Sequence, residues 1–283
     1  MKALHPISAL CAATVTLALG ACATVSPATA PAAAPARAPV SSVDTSAARH
    51  ERVKALLAHN VRLFLYDGKE LKRTASGVVV GSEVGAGGSG TYVLTSAHNL
   101  DTRGMKAPEV RVVVDRPWDE GRSEPMEFGA ALVAAGDPSE EDLALLKVEG
   151  ISLEPAPLAD DAELVPGDPV LVASAPFGSA ISLSGGLISF VDRDPKTGAP
   201  AILKTDANVG YGASGGGVYA RDSGHLLAIV AGYRTAKLQS FELPLPGETF
   251  ALPVSTIRTF LERKGFANLA RPHALGPRRS AAR

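Results

Sequence analysis

Cysteine is scarce in this sequence, and the patterns that mark metal or nucleic-acid binding are missing. The 283 residues include two cysteines, and the formal net charge is −1. No group of His, Cys, Asp and Glu has the spacing of a metal site, so we expect neither a metal nor a cofactor. No basic stripe with interleaved aromatic residues is present, which argues against a nucleic-acid partner.

The first 21 residues have the pattern of a secretory signal peptide. Lys2 gives a short positive segment, and the run from Ile7 to Leu19 is apolar but too short to span a bilayer comfortably. The residues before Cys22 resemble the lipobox of bacterial lipoproteins, which implies cleavage before Cys22 and its acylation. Cys11 would then leave with the signal, and the mature chain would carry no disulfide. The alternative is a plain secretory signal with a chance cysteine.

The segment from Cys22 to residue 45 has the composition of a linker. It consists almost wholly of Ala, Pro, Ser, Thr and Val, and such residues supply too little apolar area for a core. Its prolines favour an extended conformation that would lift a domain away from a membrane. Together with the lipobox, it predicts a protein tethered in the bacterial cell envelope. Ala23, which follows the cysteine, is typical of enterobacterial lipoproteins sorted to the outer membrane, so we expect that membrane and a periplasmic orientation.

Short strands separated by Gly, Pro and Asp fill the rest of the chain. Two sets of about six strands predict an all-β fold of two six-stranded β-barrels, flanked by a short N-terminal helix at 46–60 and a C-terminal helix at 255–264. We place the first barrel and its helix at 46–150, the connector, second barrel and last helix at 151–266, and a basic disordered tail at 267–283. The predicted strands are 61–66, 76–81, 91–95, 110–115, 128–134 and 143–148, then 170–174, 181–191, 202–205, 217–219, 226–233 and 250–252.

A glycine-rich octet, Gly210–Gly217, presents Ser214 without bulky neighbours close to it. Glycines reach backbone angles barred to other residues, so amide groups can converge where an oxyanion would form. A tight turn explains the octet equally well. The dinucleotide fingerprint G-x-G-x-x-G and the hydrolase pattern G-x-S-x-G also match its spacing, but neither is followed by the required helix.

A nucleophilic serine needs a base and an acid that orients the base. His98 follows the apolar strand that ends at Thr95, and Asp142 immediately precedes the alternating strand from Leu143. Each residue alone is as typical of a surface histidine or a turn aspartate. Their combination with Ser214 in the order His, Asp, Ser gives both weight.

Around these three residues the sequence resembles trypsin-like serine proteases, and most closely the bacterial HtrA/Deg group. The segments 95–98, 142–146 and 212–216 carry the resemblance, with support from 167–172, 176–178, 205–207 and 250–253. It implies a chymotrypsin-like pair of barrels, a His98–Asp142–Ser214 triad, and an oxyanion hole from the backbone amides of Gly212 and Ser214. It also implies an S1 pocket formed by Asn208, Val230, Ala231, Gly232 and Tyr233.

The resemblance makes polypeptides the expected substrates and allows a homo-oligomer. Because no charge stands at Asn208, we expect a small or medium uncharged side chain rather than Arg or Lys in the S1 pocket. HtrA proteins commonly carry PDZ domains, and we expect none after Phe266. Two other functions stay open: a non-catalytic envelope lipoprotein that binds proteins through this fold, and an esterase that uses the same triad.

Overall fold

The computed structural model describes residues 46–85, 88–115, 124–238 and 241–270. The predicted signal peptide, Cys22, the linker and the tail beyond residue 270 lie outside these residues. None of the helices in the described ranges is both long and apolar enough to cross a membrane.

Twelve strands form two closed barrels, and every strand pair is antiparallel. The strand order is β1-β2-β3-β6-β5-β4 in the first barrel and β10-β11-β12-β9-β8-β7 in the second. This confirms the predicted pair of six-stranded barrels and the two flanking helices. The elements are α1 Ser46–Ala58, β1 Asn60–Asp67, β2 Glu70–Gly85, β3 Gly88–Thr95, β4 Pro108–Val114, β5 Met126–Ala135, β6 Ala144–Glu149, β7 Pro169–Ser174, β8 Ser182–Arg193, β9 Pro200–Thr205, β10 Gly217–Ala220, β11 Leu226–Leu238, β12 Phe241–Pro253 and α2 Val254–Arg263.

The apolar runs of β2, β3 and β6 are buried on both faces. One set of alternating residues, including Val79 and Val93, fills the first barrel. The intervening residues, including Val78 and Leu94, join a second core cluster that continues into the second barrel. The sequence of a strand that is covered on both faces is continuously apolar, whereas that of a strand covered on one face alternates. The same strands therefore build one barrel and dock it against the other.

The N-terminal helix is shorter than predicted because Asn60 belongs to the first strand. Helix α1 ends at Ala58, and Asn60 is the first residue of β1. The buried Asn60 side chain donates to the Tyr219 hydroxyl (2.8 Å) and accepts from the Gly217 amide (3.2 Å), both in the second barrel. These bonds satisfy an otherwise costly buried amide and link the two barrels.

The C-terminal helix ends at Arg263, one residue before the predicted end, and Gly265 closes it. Gly265 has φ +86°, and its amide donates to the Glu262 carbonyl, while the Phe266 amide donates to the Leu261 carbonyl at 2.7 Å. This is the Schellman arrangement that closes many helices.

The predicted tail, in contrast, begins too early at residue 267. Leu269 and Ala270 are buried, and the Leu269 side chain lies directly over Gly81 on β2. A large apolar side chain at that point holds the chain against the first barrel, so residues 267–270 belong with the folded domain.

We expect the free energy of unfolding to fall as the pH drops below the ordinary histidine pKa of 6.5. His59 lies between α1 and β1, and burial lowers its pKa even though its Nδ1 donates to the Glu154 carbonyl at 3.0 Å. The unfolded chain therefore binds a proton before the folded chain does, and protonation in this range favours unfolding.

Urea denaturation of the wild type, His59→Gln and His50→Gln at about pH 7.5 and about pH 5.5 measures this effect. The loss on acidification should be smaller for His59→Gln than for the wild type. The variant of His50, which is exposed, should behave like the wild type. An identical loss in all three proteins would contradict the prediction.

Candidate active site

His98 and Asp142 lie side by side at one end of the first barrel. His98 stands in a short 3₁₀ turn, Ala97–Leu100, directly after β3, and Asp142 comes just before β6. Nδ1 of His98 is 2.6 Å from one carboxylate oxygen of Asp142, and the His98 amide donates to the other at 2.8 Å. Because a carboxylate accepts, the ring proton belongs on Nδ1, and Nε2 is left to take up a proton.

The segments that carry this pair are fixed by further polar contacts. Nη1 of Arg73 donates to the His98 carbonyl at 2.5 Å. Glu141, next to Asp142, is buried and accepts from Nη2 of Arg263 on α2 at 2.6 Å. The carboxylate of Asp142 has little freedom as a result, since the chain around it is held from both the first barrel and the C-terminal helix.

Ser214 lies in a tight double turn before β10. The Ala213 amide donates to the Gly210 carbonyl at 3.0 Å, and the Gly216 amide donates to the Ala213 carbonyl at 2.9 Å. Gly212 and Gly215 have φ of +86° and +87°, which residues with a side chain rarely adopt. Gly212 and Gly215 therefore adopt the backbone angles for which the sequence analysis expects glycine.

The first barrel holds this loop from outside. Ser76 is fully buried, its amide donates to the Ser214 carbonyl at 3.0 Å, and its hydroxyl donates to the Gly212 carbonyl at 2.7 Å. The same hydroxyl accepts from the Ala175 amide at 2.8 Å, so its hydrogen-bonding capacity is used in both directions. Asn99 adds a bond from its Nδ2 to the Ser214 carbonyl at 3.1 Å. We call these contacts the seam.

Sequence reasoning missed the residues of the seam. Ser76 and Asn99 are small polar residues in or beside apolar strands, where a buried polar group must find a partner. Asn99 directly follows His98, and this adjacency could have marked it as a residue of the candidate site. Ser76 has no distinguishing pattern around it.

The seam also brings the residue after His98 against the backbone of Ser214. The Ser214 hydroxyl itself donates to the Ala231 carbonyl at 3.4 Å, and no hydrogen bond joins it to His98 in the described part of the chain. The amides of Gly212 and Ser214 likewise have no acceptor among the described residues. The loop thus presents one weakly bonded hydroxyl and two uncommitted N–H groups.

The residues predicted for the S1 pocket separate into two kinds. The Asn208 side chain is exposed, and Ala231, Gly232 and Tyr233 are partly exposed along β11. Val230 differs because strand alternation turns its side chain into the core, where it is fully buried. Its carbonyl instead accepts from the Ser96 hydroxyl (3.0 Å) and from the Gly215 amide (2.7 Å). Val230 shapes this region through its backbone.

The described residues contain no candidate metal site. No group of three or more His, Cys, Asp or Glu side chains in these ranges could hold an ion. The carboxylates of Asp142 and Glu141 are engaged by protein donors, Asp142 by His98 and Glu141 by Arg263.

Comparison with known families matches residues 75–229 to the trypsin-like peptidase domain. The match covers more than half of the chain and includes His98, Asp142 and Ser214. The chain therefore belongs to the trypsin-like peptidase family.

Several curated relatives are of the HtrA/Deg type. A probable periplasmic serine endoprotease, DegP-like, from Marinomonas sp. (strain MWYL1) is 32% identical over 132 residues, 46% of this chain and 25% of the relative. The periplasmic pH-dependent serine endoprotease DegQ of Escherichia coli (strain K12) is 28% identical over 191 residues, 66% of this chain and 36% of DegQ. The chain thus spans between a quarter and about a third of the length of these relatives.

Solved structures of the same type share the fold. The crystal structure of Deg5 has a TM-score of 0.56 and 20% identity, and the match covers 76% of this chain and 93% of Deg5. A structure of the HtrA-type protease AlgW with a tripeptide also has a TM-score of 0.56, with 25% identity, 76% coverage of this chain and 62% of AlgW.

We expect Gly215→Ala to destabilise the protein by about 3 kcal/mol or more, because the added carbon would overlap atoms of the first barrel that pack against the loop. An ideal Cβ there would be 2.1 Å from the Ser76 carbonyl oxygen and 2.3 Å from Oγ1 of Thr95. Gly68→Ala is a matched control, since Gly68 also has a positive φ but has open space around it. That variant should lose only about 1 kcal/mol from backbone strain. Urea denaturation measures both, and equal losses would contradict tight packing at the seam.

Proposed function

We propose that this protein is a serine endopeptidase that hydrolyses exposed or unfolded polypeptides in the bacterial cell envelope. The observation that carries the proposal is the close His98–Asp142 pair beside a glycine loop that presents Ser214. The family match and the names of the relatives, which are serine endoproteases, support the same chemistry.

In the proposed reaction, Oγ of Ser214 attacks the carbonyl carbon of the scissile peptide while Nε2 of His98 takes the hydroxyl proton. His98 then gives that proton to the leaving nitrogen as the C–N bond breaks, which leaves an acyl-enzyme. Water attacks the ester in the same way, and its proton passes through His98 back to Ser214. Asp142 keeps the ring in the required tautomer and stabilises the transient imidazolium.

The oxyanion formed in each step needs preorganised donors. The amides of Gly212 and Ser214 have no acceptor among the described residues, which leaves both N–H groups for a substrate oxygen. The loss of one such donor typically costs about 3 kcal/mol of transition-state stabilisation, or roughly a hundredfold in rate. Bonds from Ser76 and Asn99 to the carbonyls of this loop restrict its movement and so support a fixed donor geometry.

The proposed substrates are extended polypeptides cleaved after an uncharged residue. Asn208 supplies no charge for an Arg or Lys side chain, and the partly exposed residues of β11 offer backbone for pairing. The structure of AlgW with a tripeptide supports a peptide ligand for this fold. Periplasmic relatives support an envelope location, to which we add a lipid anchor on Cys22 and the outer membrane.

A fluorophosphonate probe tests the triad directly, because it reacts covalently only with an activated serine. The wild type should be labelled and should hydrolyse unfolded casein, whereas Ser214→Ala, His98→Ala and Asp142→Asn should lose activity by about 10⁴-fold or more. Ser223→Ala, at an exposed serine remote from His98 in the chain, serves as the control. Labelling without proteolysis would favour an esterase, and no labelling of the folded wild type would favour a binding protein.

Metabolic labelling with palmitate tests the anchor. Full-length protein expressed in a diderm bacterium should incorporate label and fractionate with the outer membrane, because two or three acyl chains hold a protein firmly. Cys22→Ala should lose the label and become soluble, while Cys11→Ala should keep both properties. Label retained in Cys22→Ala would exclude the proposed lipidation site.

A further inference from the structure

A pocket lies between helix α1 and the second barrel. It is lined by α1, β7, β8 and the turn between β10 and β11, and none of its lining residues belongs to the candidate active site. Its volume is about 620 Å³, within the range of about 300–1,000 Å³ that is usual for small-molecule sites. We call it the α1 pocket.

The floor of the α1 pocket is aliphatic. Val53 and Leu56 come from α1, Leu171 from β7 and Leu183 from β8. Leu56 is buried, whereas the other three are only partly buried. Side chains of this kind normally pack directly against one another at crystal-like density. Here they border a space of ligand size, and the apolar surface that they leave accessible favours an apolar guest.

The rim of the α1 pocket is cationic. Arg49 and Arg52 lie on the same face of α1 as its two aliphatic pocket residues, and Arg221 stands on the turn opposite. Asp222 is the one acidic residue that lines the pocket. It pairs with Arg221 at 3.4 Å, but the two side chains are 58% and 84% exposed, and such an exposed pair contributes little. Three guanidinium groups therefore face one weakly paired carboxylate.

The turn that carries Arg221 is fixed by the protein. The Arg221 amide donates to the Pro169 carbonyl at 3.1 Å, and the Gly224 amide donates to the Ala220 carbonyl at 2.8 Å. The stem of Arg52 packs on the same turn, because an ideal Cβ at Gly224 would be 3.6 Å from its Cγ. The rim is thus built before any ligand arrives, which lowers the entropic cost of binding.

The backbone around the α1 pocket favours an alkyl chain over a peptide. Helix α1 satisfies its central backbone groups internally. Leu171 is paired on both sides, with Tyr219 on β10 and Gly185 on β8. An extended peptide gains its affinity from a free strand edge, which these segments do not offer. An alkyl chain needs no such edge, and a carboxylate matches the planar fork of a guanidinium group.

We propose that the α1 pocket binds the anion of a fatty acid, with the alkyl chain on the aliphatic floor and the carboxylate at Arg49 and Arg221. The proposal does not depend on the peptidase, because none of these residues takes part in the proposed reaction. Helix α1 directly follows the segment that we expect to tether the protein to a membrane, where free fatty acids partition.

Isothermal titration calorimetry with dodecanoate tests the site. Every protein is the full chain with Cys22→Ala, so that no attached acyl chain competes with the probe. The parent is compared with the double variant Arg49→Gln/Arg221→Gln and with Val53→Trp, which fills the floor and keeps the charges. Arg193→Gln is the control, since Arg193 is also exposed but lies at the far end of β8, outside the pocket lining. Urea denaturation checks that each protein is folded.

We expect the parent to bind dodecanoate at least about tenfold more tightly than octanoate, because each further buried methylene adds affinity. Acetate, which lacks the chain, and dodecyltrimethylammonium, which lacks the negative charge, should show no measurable binding. The double arginine variant should bind dodecanoate at least about tenfold more weakly through the loss of charge-assisted hydrogen bonds. Val53→Trp should also lose at least about tenfold, and Arg193→Gln should keep the parent affinity.

Several results would overturn the fatty-acid site. One is that the parent does not bind dodecanoate. Another is equal binding in all four proteins, which would place dodecanoate on a different part of the chain. Equally tight binding of dodecyltrimethylammonium would exclude recognition by the arginines. Tighter binding of lysophosphatidylglycerol, or of a short peptide that ends in a free leucine carboxylate, with the same dependence on the variants would assign the pocket to that ligand instead.

Discussion

The hydrogen bonds that Ser76 makes to the glycine-rich loop around Ser214 are the constraint on which the candidate site depends. The loop belongs to the second barrel, yet the carbonyls of Gly212 and Ser214 accept from the amide and hydroxyl of a residue in the first barrel. The apolar interface brings the barrels together without specifying an angle, since hydrophobic contact is non-directional. Directional bonds from Ser76 and Asn99 set the position of Ser214 relative to the His98 turn.

Periodicity in the sequence was sufficient for most of the fold. Each of the twelve strands overlaps one of the predicted ranges. Short apolar runs bounded by Gly, Pro and Asp favour strands over helices. The His98–Asp142 contact was predictable from the order of three short motifs, since each residue stands at the end of a strand that the barrel fixes. Helix α1 was overextended to Asn60, because its pattern does not reveal that the amide bonds across the barrels.

The remaining features depend on tertiary contacts that leave little trace in sequence. A serine such as Ser76 has the same local pattern whether it faces water or bonds to a distant loop. The family resemblance placed Val230 in the S1 pocket, and only the structure shows that its side chain faces the core. Phe177 likewise has a positive φ of +54° and an exposed ring, and the segment Pro176-Phe177-Gly178 predicts neither.

The seam between the barrels affects the order in which the parts of the chain fold. Strands of the first barrel leave the ribosome and any export channel before those of the second, and domains of this size usually organise in that order. Until the barrels dock, the carbonyls of Gly212 and Ser214 lack the donors of Ser76 and Asn99, so only bonds within the second barrel hold the turn. The position of Ser214 beside the His98 turn is therefore fixed only when the two barrels have docked.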